Sequence, residues 1–291
     1  MMGQAGAAWV AALPQTLAEL EQRWSISIGR SLPGGSSSYV AEARTPTGVE
    51  VVVKVAVSDD GFPAQVAALR RADGRGYARL LADAPDVRAL LLERLGRSLA
   101  GCGLRPEEQL VRIADALTQA WQPPGEVPPV DKAGDLGRLI STVWHQQGRP
   151  CSERVVSQAL DFADRRAAEP QPELVVAHGD PHPGNLLAVR SPRPGAETGW
   201  CFVDPDGFVA DRAYDLGVAL RDWSSRLIES PDPRGTAEAY CRLLAEHTGV
   251  DATRIWEWGF VERVSSGLYV LDTVGSPAMA RPFLDSAELL C

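Results

Sequence analysis

Lysine is almost missing from this chain, whose 291 residues include only Lys54 and Lys132. Arginine does not make up the shortfall: 29 basic residues face 38 acidic ones, for a net charge of −9. Neutralising a nucleic-acid backbone takes clustered Lys and Arg, so no nucleic-acid partner is expected. Long apolar runs are missing too. No window approaches the ~18 uninterrupted apolar residues of a membrane span, and Met1 to Leu13 has no positively charged region ahead of an apolar stretch. The expectation is a cytoplasmic protein with no membrane contact. Cysteine is sparse, and Cys102, Cys151, Cys201, Cys241 and Cys291 stand at least 40 residues apart. None forms the close pairs that zinc sites and redox motifs need, and the odd count suits reduced thiols.

What is present is a normal core composition, 45% hydrophobic, distributed in two different periods. Trp9, Leu13, Leu17, Leu20 and Trp24 recur at helical spacing over Ala8 to Trp24. Ser25–Arg30, Ser38–Ala43 and Val49–Ser58 then read as strands separated by Pro and Gly turns, Phe62–Ala72 as a helix, and Tyr77–Leu81 and Ala89–Arg94 as two further strands. Beyond Pro106 the helical period dominates, in Glu107–Trp121, Lys132–Gln147, Glu153–Ala168, Tyr214–Ile228, Arg234–His247 and Ala252–Val274. This order predicts a bilobal α+β fold: residues 1–95 form a lobe with a five-stranded antiparallel sheet and one helix behind a leading helix, and residues 96–291 form a mostly helical lobe. A ligand is expected between them. Acidic and basic residues balance at ten each up to Leu95, so the whole excess of acid lies in the second lobe. Such a field suits a cationic small molecule, although a solubilising surface accounts for it equally well.

The sharpest motif is His178-Gly179-Asp180-Pro181-His182-Pro183-Gly184-Asn185, followed 19 residues after Asn185 by Asp204 in Val203-Asp204-Pro205-Asp206. Phosphoryl transfer needs a carboxylate at the attacking hydroxyl and oxygen ligands for Mg²⁺. Asp180 is of the first type, and Asn185 with Asp204 of the second. Each is an ordinary turn residue on its own; their combination around two short apolar runs carries the reading. A metal-hydrolase triad of His178, Asp180 and His182 fits worse, because it has neither helical spacing nor a third downstream ligand. His178 is expected to pack behind the loop, and His182 either packs there or meets the acceptor.

Lys54 lies inside the apolar run Val51 to Val55, where a lysine is costly to bury without a partner. It stands where kinases keep the lysine that holds the α and β phosphates of ATP. Gly34, Gly35, Ser36, Ser37 and Ser38, between the first two strands, supply the close backbone approach and the donors of a phosphate loop.

The loop resembles the catalytic loop of the aminoglycoside phosphotransferase family, small-molecule kinases with a protein-kinase-like fold. Ala8-Trp9-Val10-Ala11-Ala12-Leu13-Pro14 ahead of Arg23-Trp24, together with Leu91-Leu92-Glu93-Arg94-Leu95 and Gly199-Trp200, resemble its streptomycin 6-phosphotransferase and hydroxyurea-kinase branch. The resemblance implies Asp180 as the catalytic aspartate, Asn185 and Asp204 as magnesium ligands, Asp215 as a brace for the loop, and ATP adenine against the backbone of Glu93, Arg94 and Leu95. Kinases usually pair the strand lysine with a helix glutamate, but Phe62 to Ala72 contains no acid, and the place falls to Gln65. Either Gln65 bonds Lys54 neutrally, or Asp59 or Asp60 substitutes, or the arrangement is weakened. A protein kinase fits less well, because only ten residues separate Asp204 from Asp215 and the Asp-Phe-Gly and Ala-Pro-Glu signatures are absent. A nucleotide-binding pseudokinase is the rival of another class. The expected activity is ATP-dependent phosphorylation of a hydroxyl on a small polar molecule, an aminoglycoside such as streptomycin. His182, Asp206, Asp222 and Asp272 are candidate acceptor contacts, although each Asp also suits a helix cap. Trp223, Trp256 and Trp258 suit sugar stacking or the core.

Overall fold

The computed structural model describes residues 3–33, 38–58, 60–125, 127, 129–169 and 174–291. The chain opens with helix α1 (Gly3–Trp24) and continues through strands β1 (Ser27–Ser31), β2 (Ser38–Arg44) and β3 (Glu50–Ala56), helix α2 (Phe62–Ala72), and strands β4 (Leu80–Ala84) and β5 (Ala89–Glu93). All five strands form one antiparallel sheet in the order β1-β2-β3-β5-β4. The alternating period of β3 divides the core. Val51, Val53 and Val55 face α1, packing with Leu20, Ala43 and Leu91. Val52 faces the other way with Leu90 and Leu92, towards Val66 and Leu69 of α2. Lys54 shares this second face, directly opposite Leu90 of β5.

Strand β4 starts three residues later than the alternation predicts. The backbone at Tyr77 is already committed elsewhere: Phe202 N–H donates to Gly76 C=O at 2.8 Å and Ala78 N–H to Phe202 C=O at 2.9 Å. The turn depends on Gly76, whose φ is +71° and whose hydrogen faces the Ala120 backbone where a Cβ would stand at 2.5 Å.

The remainder is helical. Helices α3 (Pro106–Ala120), α4 (Lys132–Gln146) and α5 (Glu153–Ala168) precede two small two-stranded sheets. In these, β6 (Leu174–Val176) pairs with β9 (Val209–Asp211), and β7 (Leu186–Ala188) with β8 (Trp200–Phe202). Then come α6 (Arg212–Ala219), a 3₁₀ turn over Leu220–Trp223, α7 (Ser224–Glu229), α8 (Pro233–Thr248), α9 (Ala252–Thr273) and α10 (Pro277–Leu290). Ile255, Trp258, Val261, Val264 and Leu268 bury α9 among its neighbours.

Two departures from the sequence reading concern helices. The single helix expected over Tyr214–Ile228 is broken at Leu220–Trp223, where buried Arg263 takes the Leu220 carbonyl at 2.9 Å and Ser224 Oγ takes that of Arg221 at 2.7 Å. Helix α10 was not anticipated. It begins after Gly275 with Pro277 in its first turn, and presents Ala280, Leu284, Ala287 and Leu290 to the core. None of the described helices is long and apolar enough to cross a membrane, and all five cysteines are free.

Candidate active site

The loop from His178 to Asn185 joins β6 to β7 and is shaped from behind by two buried groups. Asp215, on α6, accepts from His178 N–H and Gly179 N–H, each at 2.9 Å, and from Trp121 Nε1 at 2.8 Å. Burial raises its carboxyl to about 6, against the pull of these three donors. It braces the loop as the resemblance implied. His178 also packs behind the loop. Its Nδ1 accepts from Asp180 N–H at 3.1 Å and its Nε2 donates to Val203 C=O at 2.9 Å, while the ring meets Phe202 edge-on. Burial lowers the imidazole to about 4. With both ring nitrogens bound to backbone, His178 has none left for a metal, which removes the hydrolase triad.

The loop presents Asp180 to solvent in front of these braces. One carboxylate oxygen, Oδ1, hydrogen-bonds Arg221 Nη2, and Oδ2 lies 3.6 Å from His182 Nε2. Asn185 Nδ2 donates to the Asp180 carbonyl at 3.0 Å, and Asn185 C=O receives Val203 N–H at 2.9 Å, tying the loop to the segment that carries Asp204. Asp204 adopts a left-handed backbone with φ +58°, a costly conformation for a residue with a Cβ. It turns the carboxylate to Lys54, whose Nζ donates to Asp204 Oδ1 at 2.8 Å and to Gln65 Oε1 at 3.3 Å.

Of the three alternatives for Lys54, the neutral Gln65 bond is therefore made, but the charge is met from across the cleft by Asp204. Asp60 instead accepts from Ser58 Oγ at 2.7 Å. Asp59 lies outside the described residues, as do Gly34, Gly35, Ser36 and Ser37; Ser38 opens β2.

At the end of β5, Glu93 is held by Arg193 at 2.7 and 2.8 Å, and Arg94 donates to Glu42 at 3.0 Å. Leu95 is buried with Ala78, Ala196 and Cys201, and the next residue, Gly96, donates to Ala188 C=O at 2.7 Å. A hollow of about 410 Å³ beside this turn is lined by Glu42, Glu50, Arg94, Leu95, Gly96, Arg97 and Arg190.

The candidate acceptor residues separate into two groups. His182 Nδ1 is 4.0 Å from Asp222 Oδ2, so both stand beside Asp180. Asp206 packs its side chain against Gly179, whose φ of +88° and lack of a Cβ make room for it. The surrounding protein and then the Asp180 charge raise Asp206 to about 6, and desolvation raises Asp222. Asp272 is not part of this group: it is exposed near the end of α9, where Gln147 Nε2 donates to it at 3.2 Å. Trp223 and Trp258 are core residues, and Trp256 is half-buried against Arg234.

Sequence reasoning missed Arg221. It is an isolated arginine in a helical pattern, and the only available signal was a charged pair, Arg221-Asp222, between apolar Leu216–Leu220 and Trp223. Burial opposes its charge most strongly, but Asp180, Glu262 and Asp222 together outweigh that and hold the guanidinium above its ordinary value.

Residues 23–274 match the aminoglycoside/hydroxyurea antibiotic resistance kinase family. The chain belongs to this family. It is 27% identical to a streptomycin 6-kinase of Streptomyces glaucescens, across 99% of this chain and 92% of that protein. It is 30% identical to a hydroxyurea phosphotransferase of Kitasatospora aureofaciens, across 75% of this chain and 64% of that one. A choline/ethanolamine kinase family protein from Mesorhizobium loti superposes with a TM-score of 0.61, covering 89% of this chain and 85% of that chain; at 16% identity this is a likeness of fold. The protein is thus a small-molecule phosphotransferase on a bilobal kinase-like fold.

Proposed function

We propose that this phosphotransferase moves the γ-phosphoryl group of ATP, with Mg²⁺, to a hydroxyl of a cationic aminoglycoside of the streptomycin type. The observation that carries the reading is the 2.8 Å contact of Lys54 with Asp204 across the cleft, beside the Asp180–Asn185 loop. It brings a phosphate-binding cation and a metal-binding carboxylate together next to a carboxylate able to receive a hydroxyl proton.

Residues 1–95 are the nucleotide lobe in this reading and 96–291 the acceptor lobe. Adenine lies under Val40 and Val52, at the turn of Glu93, Arg94 and Leu95. The side chains of Glu93 and Arg94 are occupied by ion pairs, so recognition there falls to the backbone. The phosphates run beneath the segment from Gly34 to Ser38 towards Lys54, with Gln65 steadying the lysine.

The donor set suits magnesium. Asp204 is 41% exposed and engages Lys54 through Oδ1, leaving its other oxygen. Asn185 commits its amide nitrogen to Asp180 C=O, leaving its oxygen. Among the described residues no three His, Cys, Asp or Glu side chains form a metal-binding group. Magnesium is commonly held by one or two protein carboxylates and completed by phosphates and water. When bound, it neutralises charge on the transferring phosphates.

Asp180 receives the acceptor proton as the hydroxyl oxygen attacks phosphorus, and positioning supplies most of the rate. Asp206 and Asp222 beside Asp180, with His182 at the rim, favour an acceptor carrying guanidinium or ammonium groups. An ATP consumer with free thiols fits the cytoplasm.

An ADP-release screen over streptomycin, other aminoglycosides, amino alcohols and hydroxyurea tests the reading. Streptomycin-type acceptors should give the highest kcat/KM. Best turnover of a neutral acceptor would refute the cationic preference, and tight ATP binding without turnover of any acceptor would favour the pseudokinase.

A further inference from the structure

The guanidinium of Arg221 touches Asp180, yet the roles assigned so far leave it unused. It sits on the 3₁₀ turn between α6 and α7, and both ends of that turn are pinned. Arg263, 2% exposed, donates to Leu220 C=O at 2.9 Å and to Ser286 Oγ at 3.0 Å, and also contacts Ser224 Oγ. Ser224 Oγ in turn holds Arg221 C=O. The Arg221 side chain spans two carboxylates on separate elements: Nη2 hydrogen-bonds Asp180 Oδ1, and Nη1 reaches Glu262 Oε2 at 3.3 Å. Glu262 is itself buried on α9 and fixed by Tyr214, whose hydroxyl donates to Oε1 at 2.7 Å. A chain of contacts from α6 through α9 to the turn thus ends on one oxygen of Asp180.

We infer that Arg221 is a positioning residue for phosphoryl transfer, holding Asp180 Oδ1 so that Oδ2 is the oxygen offered to the acceptor. The inference rests on the role given to Asp180 above. In that step the acceptor O–H proton passes to Oδ2 and the acceptor oxygen bonds to the γ-phosphorus. The bond from phosphorus to the β-phosphate bridging oxygen breaks, its electron pair leaving on ADP. Arg221 exchanges no proton and forms no bond to either substrate. A planar fork suits the task, since its two terminal nitrogens serve two carboxylates at fixed angles, which a single ammonium cannot do.

The test compares Arg221→Ala, Arg221→Lys and Glu262→Gln with the parent chain, using the best acceptor of the ADP-release screen. Misplacing a reacting group by about 1 Å costs on the order of 10² in rate. Arg221→Ala should therefore lose about 10² in kcat while KM for ATP and for acceptor stays within about threefold, and added guanidinium ion at low millimolar concentration should restore part of kcat. Arg221→Lys, which keeps the half-buried positive charge and serves if the alanine variant does not fold, should still lose about tenfold, and Glu262→Gln a similar amount. Parental kcat in Arg221→Lys, or a loss in Arg221→Ala that appears wholly in acceptor KM, overturns the inference. Asp180→Ala separates the two levels. If it is inactive while the Arg221 variants are not, only the role of Arg221 fails; if it turns over normally, the reading of the site fails first.

Discussion

Replacing Asp215 by Asn should expose an acid sensitivity that the parent chain conceals. Two fully buried groups joined through the loop are shifted in opposite directions. Burial takes His178 from 6.5 down to about 4, and Asp215 from 3.8 up to about 6. For His178 the unfolded chain binds the proton first, so its contribution to stability is complete above about pH 6.5 and is lost as pH falls towards 4. For Asp215 the folded chain binds first, so stability from this group is complete below about pH 3.8 and is lost as pH rises through 6. At about 1.4 kcal/mol per pH unit each effect is worth about 3 kcal/mol, and over the same window they nearly cancel. Asp215→Asn retains only the histidine effect. Its urea midpoint, followed by tryptophan fluorescence, should fall relative to the parent by about 1 M between pH 7 and pH 4, for a slope of about 3 kcal/mol per molar. The comparison between chains removes the common titration of surface carboxylates. A midpoint difference that is the same at pH 7 and pH 4 would refute the assignment of opposed buried shifts.

Asp180→Asn should reduce kcat by about 10² to 10⁴ with ATP affinity nearly unchanged, as expected for loss of a general base; near-normal turnover would remove it from the chemistry. Asp204→Ala should abolish the strengthening of ATP binding by Mg²⁺ in calorimetry, and an equal metal effect in variant and parent would place the metal elsewhere. Because Asp204 already meets the charge of Lys54, Gln65→Ala should raise KM for ATP only about two- to fivefold, a hydrogen bond's worth of about 0.5–1 kcal/mol. A change confined to acceptor KM would contradict this. Raising ionic strength from about 0.05 to 0.5 M should increase KM for a cationic acceptor more than KM for ATP, and a salt-independent acceptor KM would count against the acidic cleft.

Helix α2 was legible to the residue because Gly61 and Pro63 fix its start and Asp73 in a left-handed conformation its end. The β-branched run of β3 was legible too, its expected bounds of Val49 and Ser58 lying within two residues of the observed Glu50–Ala56. What escaped were features decided by tertiary partners. The backbone at Tyr77 has strand-like residues but pairs with Phe202 instead of β5, and no local pattern distinguishes these outcomes. The break at Leu220 depends on Arg263, more than 40 residues away. Helix α10 carries Pro282 in its interior, which weakens a helical reading even where the apolar spacing is right. In the site, the chemistry-bearing types Asp180, Asn185, Asp204 and Lys54 stood out as a pattern. The contact of Lys54 with Asp204 joins residues 150 apart, and spacing alone does not reveal it.

The chain joins the sheet to the paired strands β7 and β8 through two backbone junctions, Gly76–Ala78 against Phe202 and Gly96–Arg97 against Ala188. Side chains extend that seam: Arg193 reaches Glu93 and the carbonyls of Gly74 and Tyr77, Arg190 contacts Glu50 of β3, and Ala68 of α2 packs with Val176 and Val209. The reach from Lys54 to Asp204 is therefore governed by main chain and packing at the rear of the cleft, so a substitution along the seam, far from any phosphate, would be felt as a change in the spacing of those two charges.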